Sequence, residues 1–158
     1  MRTRKKRKHQ KIIQLVGLAP FLLVYILPGL DKRFGWSKVP EGLSIAGLAM
    51  VLFGYLFILY VFLTNSYASR VVEVEKEQKV ITTGPYSIVR HPMYTGTIFF
   101  YGVTPLALGS YWGMIFTVFI VIILVFRTLD EEKELIENLE GYREYAQKVK
   151  YRLIPGLW

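Results

Sequence analysis

Cysteine is absent from this 158-residue chain. Its absence removes disulfides, thiolate metal sites and cysteine nucleophiles together. Histidine is scarce too: there are two, His9 among basic residues near the start and His91 in mid-chain. That excludes a histidine-rich metal centre, and no metal site is expected. No G-x-G-x-x-G follows a strand pattern and no G-x-x-x-x-G-K-[ST] occurs, so the familiar nucleotide-binding loops are unsupported. A Ser-His-Asp arrangement has no local signature either.

Acidic residues are the minority charge, 12 against 20 basic, for a formal net charge of +8. The excess is local. Arg2, Arg4, Lys5, Lys6, Arg7, Lys8 and Lys11 crowd into the first eleven positions, and the remainder is nearly neutral. A nucleic-acid partner can be read from such a run. The positive-inside rule offers the simpler account, a basic cytoplasmic segment (1–11) flanking a membrane helix, and no nucleic acid is expected.

What the chain has in quantity is apolar sequence: 53% of residues are hydrophobic and 15% aromatic. The expectation is an all-α polytopic membrane protein, one domain over 12–158 with about four transmembrane helices. Spans are placed at about 12–30, 43–63, 93–108 and 111–126, against a requirement of roughly 20 apolar residues per crossing. The first span has no small-residue cleavage site after it and is read as retained rather than as a signal peptide. The last two are short and share a tight turn at Leu108-Gly109-Ser110-Tyr111, which reads as a helical hairpin. With the N-terminus inside, seventeen of the basic residues fall on the cytoplasmic side and three, Lys32, Arg33 and Lys38, outside. Both termini are therefore placed in the cytoplasm, a bacterial inner membrane being the expected setting.

The cytoplasmic loop alternates at Val72-Glu73-Val74-Glu75, which fits a small β-hairpin over 71–82 or a solvated charged loop. The C-terminal segment 127–158 is charged yet keeps helical spacing at Leu135, Leu139, Tyr142, Ala146 and Val149. It is read as an amphipathic cytoplasmic helix that Gly141 breaks or kinks.

Two clusters carry chemistry. The first is the run from Gly84 to Gly96, where Gly84, Tyr86, Arg90, His91, Pro92, Tyr94 and Gly96 meet at the mouth of the third span. Pro92 suits the first turn of a helix, and it pushes His91 into extended geometry. Free N–H groups at that helix start would favour an anion. Glycines permit close backbone approach, and tyrosines offer faces to a base or cation. An interfacial aromatic belt is the plainer reading of each residue alone. The second cluster is Arg127, Glu131 and Glu132, at the cytoplasmic exit of the fourth span. On a helix Glu131 lies about 40° round from Arg127 and Glu132 about 140°. A simple i, i+4 ion pair is one account. A carboxylate that holds an ammonium or sulfonium, beside an arginine that holds a carboxylate, is the other.

Gly84-Pro85-Tyr86, then Arg90-His91-Pro92-Met93-Tyr94-Thr95-Gly96, resembles the core of the isoprenylcysteine carboxyl methyltransferase family, grouped with the phospholipid methyltransferases. Arg127 with Glu131-Glu132 resembles that family's second motif. Gly141-Tyr142-Arg143-Glu144-Tyr145 and the segment Tyr151-Arg152-Leu153-Ile154-Pro155-Gly156-Leu157-Trp158 resemble its C-terminal region. The resemblance implies S-adenosylmethionine as cofactor, bound at the cytoplasmic face. Gly84, Tyr86, His91, Pro92, Tyr94, Gly96 and Glu131 would form its pocket. Arg127, Glu131 and Glu132 would be the catalytic residues, with Arg127 orienting an acceptor carboxylate. The implied substrate is lipophilic or lipidated, met in the bilayer, and a homodimer would complete a cavity that two preceding spans leave short. Carboxyl O-methylation is the leading reaction, and phospholipid or amine N-methylation the alternative. A membrane reductase and a small packing or transport protein are the readings outside methyl transfer.

Overall fold

A computed structural model describes residues 4–65 and 79–158, with side chains from residue 18 onward. Five α-helices follow one another: α1 Arg4–Phe34, α2 Glu41–Thr64, α3 Pro92–Ala107, α4 Met114–Asn138 and α5 Tyr142–Lys148. A short 3-10 turn, Gly84–Ser87, precedes α3. Among the described residues there is no sheet, only an isolated parallel bridge between Val89 and Tyr151. The all-helical expectation holds at this level.

Differences lie at the edges. The basic segment expected as a separate tail is helical from Arg4, so its backbone forms the first turns of α1. The fourth helix begins at Met114 rather than 111 and runs on to Asn138 without a break at the membrane exit. Its residues after Phe126 keep a helical pattern of apolar positions, so nothing in the sequence stops it before the Gly141 region. The hairpin expected over 71–82 lies mostly outside the described residues, and positions 79–82 carry no strand. Among the described residues one helix, α2, is by itself long and apolar enough to cross a membrane. Its Leu48, Leu56, Phe53 and Met50, which fall on different faces of the helix, are all exposed. A helix apolar all round and largely unburied in its own chain is matched to lipid as solvent.

The chain forms two compact units. One comprises Met1–Phe53 and Ile98–Ile123. Its buried charged group is Asp31, 1% exposed near the end of α1. The Ser37 N–H (2.6 Å) and the hydroxyls of Ser37 and Ser110 all donate to the Asp31 carboxylate. Each hydroxyl in turn accepts a backbone N–H, Ser37 from Tyr111 (3.2 Å) and Ser110 from Gly113 (3.1 Å). A carboxylate removed from water needs such donors. Here they tie the α1–α2 connection to the α3–α4 turn. Gly113 fits only because it lacks a Cβ, which would stand 2.5 Å from Pro105 and 3.0 Å from Pro28.

The second unit comprises Gly54–Thr97 and Leu124–Trp158. Its core packs Leu139, Tyr142 and Tyr145 against Val80, Leu135, Ile136, Ala146 and Val149. These are the periodic apolar positions of the C-terminal segment, joined by residues the spacing did not nominate. Gly141, at φ 79°, separates α4 from α5, so the expected break is real. A left-handed residue at a helix end favours glycine.

Candidate active site

All the sequence-nominated site residues fall in the second unit, and the fold brings most of them together. Pro92 opens α3, where its missing N–H is harmless, and is fully buried. His91 precedes it outside the helix, as expected, but it is not held away from α3. The residue is 4% exposed and its ring stacks on that of Tyr94, centroids 6.0 Å apart at 14°. The anticipated row of free N–H groups is reduced. Tyr94 N and Thr95 N both donate to the His91 carbonyl (3.1 and 3.2 Å), and Pro92 has none to give.

The second cluster meets the first through Tyr94. Helical spacing put Arg127 beside Glu131, and the structure inserts a hydroxyl between them. Arg127 Nε donates to Tyr94 Oη (2.9 Å), and Tyr94 Oη donates to Glu131 Oε2. Glu131 Oε1 lies 3.9 Å from His91 Nδ1. One carboxylate thus faces an imidazole, a phenol and, through the phenol, a guanidinium.

Electrostatics divide these groups. Burial is the main cause that pushes His91 down to about 3, and the nearby cations Arg90 and Arg152 push the same way. His91 is therefore a neutral imidazole at any physiological pH. Its Nε2 is buried and makes no hydrogen bond. Burial raises the Glu131 carboxyl above its ordinary value, against the opposing pull of the Tyr94 hydroxyl and Arg127.

Glu132 has a different environment. It is buried, and both oxygens are taken: Oε1 by Arg90 Nη2 at 2.7 Å, Oε2 by Arg152 Nε. Arg90 also donates from Nη1 to the Ala146 and Val149 carbonyls, 3.0 Å each, at the end of α5. The sequence reading grouped Glu131 and Glu132, and the structure gives them unlike jobs. It also named Arg90 in the first cluster without giving it a role, and passed over Arg152 as a site residue. The one available signal was chemical: a glutamate on a face turned away from Arg127 needs cations from elsewhere if buried.

The glycines do not open onto the cluster equally. Gly84, at φ 57°, packs its α-carbon near Thr64 and Tyr60, so that a Cβ would meet both at 3.1 Å. Gly96 packs on α2, where a Cβ would stand 2.6 Å from Ile58 Cγ1. Its role in the structure is helix–helix contact. Tyr86 is half-buried. Its hydroxyl accepts from Asn65 Nδ2 (2.8 Å) and its carbonyl accepts from Tyr145 Oη (2.6 Å).

Comparison with known proteins bears on this geometry. The sequence profile of the phospholipid methyltransferase family matches residues 43–142, a stretch that includes both motifs. The chain belongs to the phospholipid methyltransferase family. It is 25% identical over 148 residues to protein-S-isoprenylcysteine O-methyltransferase B of Arabidopsis thaliana, covering 90% of this chain and 72% of that protein. Its fold is similar to that of the eukaryotic intramembrane Ras methyltransferase, isoprenylcysteine carboxyl methyltransferase. There the TM-score is 0.64 at 24% identity, over 90% of this chain. The chain spans 50% of the length of that solved structure. The family resemblance carried by the Arg90-His91-Pro92 and Glu131-Glu132 motifs is borne out.

Proposed function

We propose that this protein is an integral membrane methyltransferase that uses S-adenosylmethionine to methylate a carboxylate on a lipophilic, isoprenylcysteine-type acceptor. The chain belongs to a methyltransferase family, and the donor set suits this cofactor. Glu131 is a carboxylate for an ammonium or sulfonium, His91 Nε2 is a buried polar atom without a protein partner, and Tyr86 and Tyr94 supply aromatic surface. When bound, S-adenosylmethionine supplies an electrophilic methyl on a positively charged sulfur. The chain's residues bind, orient and exclude water. Arg127 presents its guanidinium to an acceptor carboxylate, and Tyr94 holds that guanidinium apart from Glu131.

The state of His91 carries the choice of acceptor. A carboxylate needs no proton removed, whereas an amine must lose one, and a histidine at about 3 accepts protons poorly near neutrality. Orientation of the reacting atoms then supplies most of the acceleration. Phospholipid amine methylation would have to use Glu131 as base.

In this reading four helices cross the bilayer, α1 to α4, with both ends and the motif cluster at the cytoplasmic face. The seventeen-to-three distribution of basic residues supports that orientation. Homodimerisation would extend a substrate cavity that two spans ahead of the motif leave small.

Calorimetry on detergent-purified protein tests the cofactor, with S-adenosylhomocysteine and NADPH in separate titrations. Binding of the first alone is expected, and binding of NADPH alone would overturn the reading in favour of a reductase. Transfer of labelled methyl to prenylated thiol acids, compared with phosphatidylethanolamine, tests the acceptor. Label appearing only in the phospholipid would move the assignment to N-methylation.

A further inference from the structure

Three consecutive carbonyls near the end of the sequence reach the motif that opens α3. Arg90 N donates to Tyr151 O and His91 N to Arg152 O, 2.9 Å each, and Thr95 Oγ1 donates to Leu153 O at 2.7 Å. The two N–H groups precede a proline and lie outside the helix, so α3 itself gives them no acceptor. The segment that supplies the acceptors is closed on itself: the N–H groups of Arg152, Leu153 and Ile154 all point to the Trp158 carbonyl, at 2.9 to 3.3 Å. The Arg152 guanidinium lies over the Trp158 ring, 5.2 Å from a ring centroid, while its Nε grips Glu132.

From this geometry we propose that residues 151–158 act as a clasp on the start of α3, with Arg152 as a positioning residue. Arg152 holds Glu132, and Glu132 fixes the end of α4 so that the adjacent Glu131 faces Tyr94 and His91. The proposal rests on the methyltransferase reading only for its cofactor arm. Arg90 is locked by three acceptors and is 8% exposed, whereas the Arg152 side chain is 32% exposed and tethered by one ion pair and one ring. Arg152 is thus the member of the trio that can be altered with least damage to folding.

Charge gives the clasp a second effect. The groups around His91 are Arg90 and Arg152 (cations), Glu131 at 3.9 Å, Glu132 between the two arginines, and Tyr94 stacked on the ring with Arg127 behind its hydroxyl. Removing the Arg152 cation leaves Glu131 and Glu132 less opposed and makes the imidazolium easier to form. A lysine there keeps the charge but loses the planar guanidinium that both meets the carboxylate and lies over the indole.

The test compares the wild-type protein with Arg152→Gln, Arg152→Lys and Trp158→Leu in detergent, each checked by thermal melting. Two readouts are taken: the dissociation constant for S-adenosylhomocysteine, and the titration of His91 in the ligand-free protein by 15N-histidine NMR, with His9→Gln for assignment. Arg152→Gln is expected to weaken the ligand at least ten-fold and to move the onset of His91 protonation to higher pH. Arg152→Lys should weaken the ligand while the His91 titration stays near wild type. Should Arg152→Gln not fold, Trp158→Leu carries the test, with a weaker shift of both readouts in the same directions. A folded Arg152→Gln, or Trp158→Leu in its place, with wild-type affinity and an unchanged His91 titration overturns the clasp. Loss of ligand binding by the wild type instead overturns the methyltransferase reading, and the His91 titration still decides the clasp.

Discussion

Tyr94 stands where helix periodicity alone would let Arg127 and Glu131 join directly. Its hydroxyl accepts from one and donates to the other, so a guanidinium and a carboxylate share a neighbourhood without cancelling in a single contact. Tyr94→Phe removes both hydrogen bonds and leaves the ring. Hydrogen bonds to charged groups contribute about 1.5–3 kcal/mol, so kcat/KM for methyl transfer should fall about 10- to 100-fold. Steady-state transfer of labelled methyl measures it, and a loss under two-fold would remove Tyr94 from the reacting cluster.

Also at the residue scale, His91 and Glu131 make opposite contributions to pH dependence. Burial in the folded chain pushes His91 down to about 3 from its ordinary 6.5, so between those limits the unfolded chain binds more protons. Its contribution to stability is complete above about 6.5 and is lost as pH falls toward 3, with a slope of at most about 1.4 kcal/mol per pH unit. Glu131 is raised, so its contribution is complete below its ordinary value and lost as pH rises through its folded one. Thermal midpoints taken from pH 7 to pH 5 should therefore decline, and decline less steeply in His91→Gln. An equal slope in both proteins would show that His91 is not held neutral by the fold. Affinity for S-adenosylhomocysteine should begin to fall at a higher pH than an ordinary carboxylate would give, because burial raises Glu131.

At the scale of elements, what was readable in the sequence is what is local. The start of α3 at Pro92 and the break at Gly141 follow from backbone preferences of single residues. The apolar spacing from Leu135 to Val149 follows from the helical period, and those side chains do form a core. The partners that hold the site were not readable, because they come from far along the chain. Arg90 meets carbonyls 56 and 59 residues away, and Ser110 meets Asp31 across 79 residues. No local pattern encodes such a pairing, although a buried charge announces that a partner must exist. Gly96 shows the converse error: a glycine in a motif suggests close approach, but the sequence does not say to what. The structure answers with α2. Gly96→Ala should destabilise the protein by about 1–3 kcal/mol through the clash with Ile58, seen as a lowered melting midpoint in detergent. An unchanged midpoint would mean that α2 and α3 can part at that point without cost.

For the whole molecule the open quantity is how many helices cross the bilayer, since α2 alone qualifies by length and composition among the described helices. Charge distribution argues for four. The last turn of α1 and the connection after it hold Lys32, Arg33 and Lys38, while the α3–α4 turn holds no basic residue, and the remaining basic residues lie on the other side in a four-span arrangement. The first unit adds a physical reason to group those two connections. Asp31 at the end of α1 is bound by Ser37 and Ser110, one from each connection, so both lie at the same level of that unit. A chain without cysteine permits a direct measurement, because each introduced thiol is the only one. Lys38→Cys and Glu140→Cys place thiols at exposed positions, one in the first connection and one beyond α4. In intact cells a membrane-impermeant maleimide should label the first and reach the second only after permeabilisation. If the reagent labelled both in intact cells, the segment beyond α4 would lie outside, an odd number of crossings from a cytoplasmic N-terminal segment. The S-adenosylmethionine site proposed above would then face away from the cytoplasm.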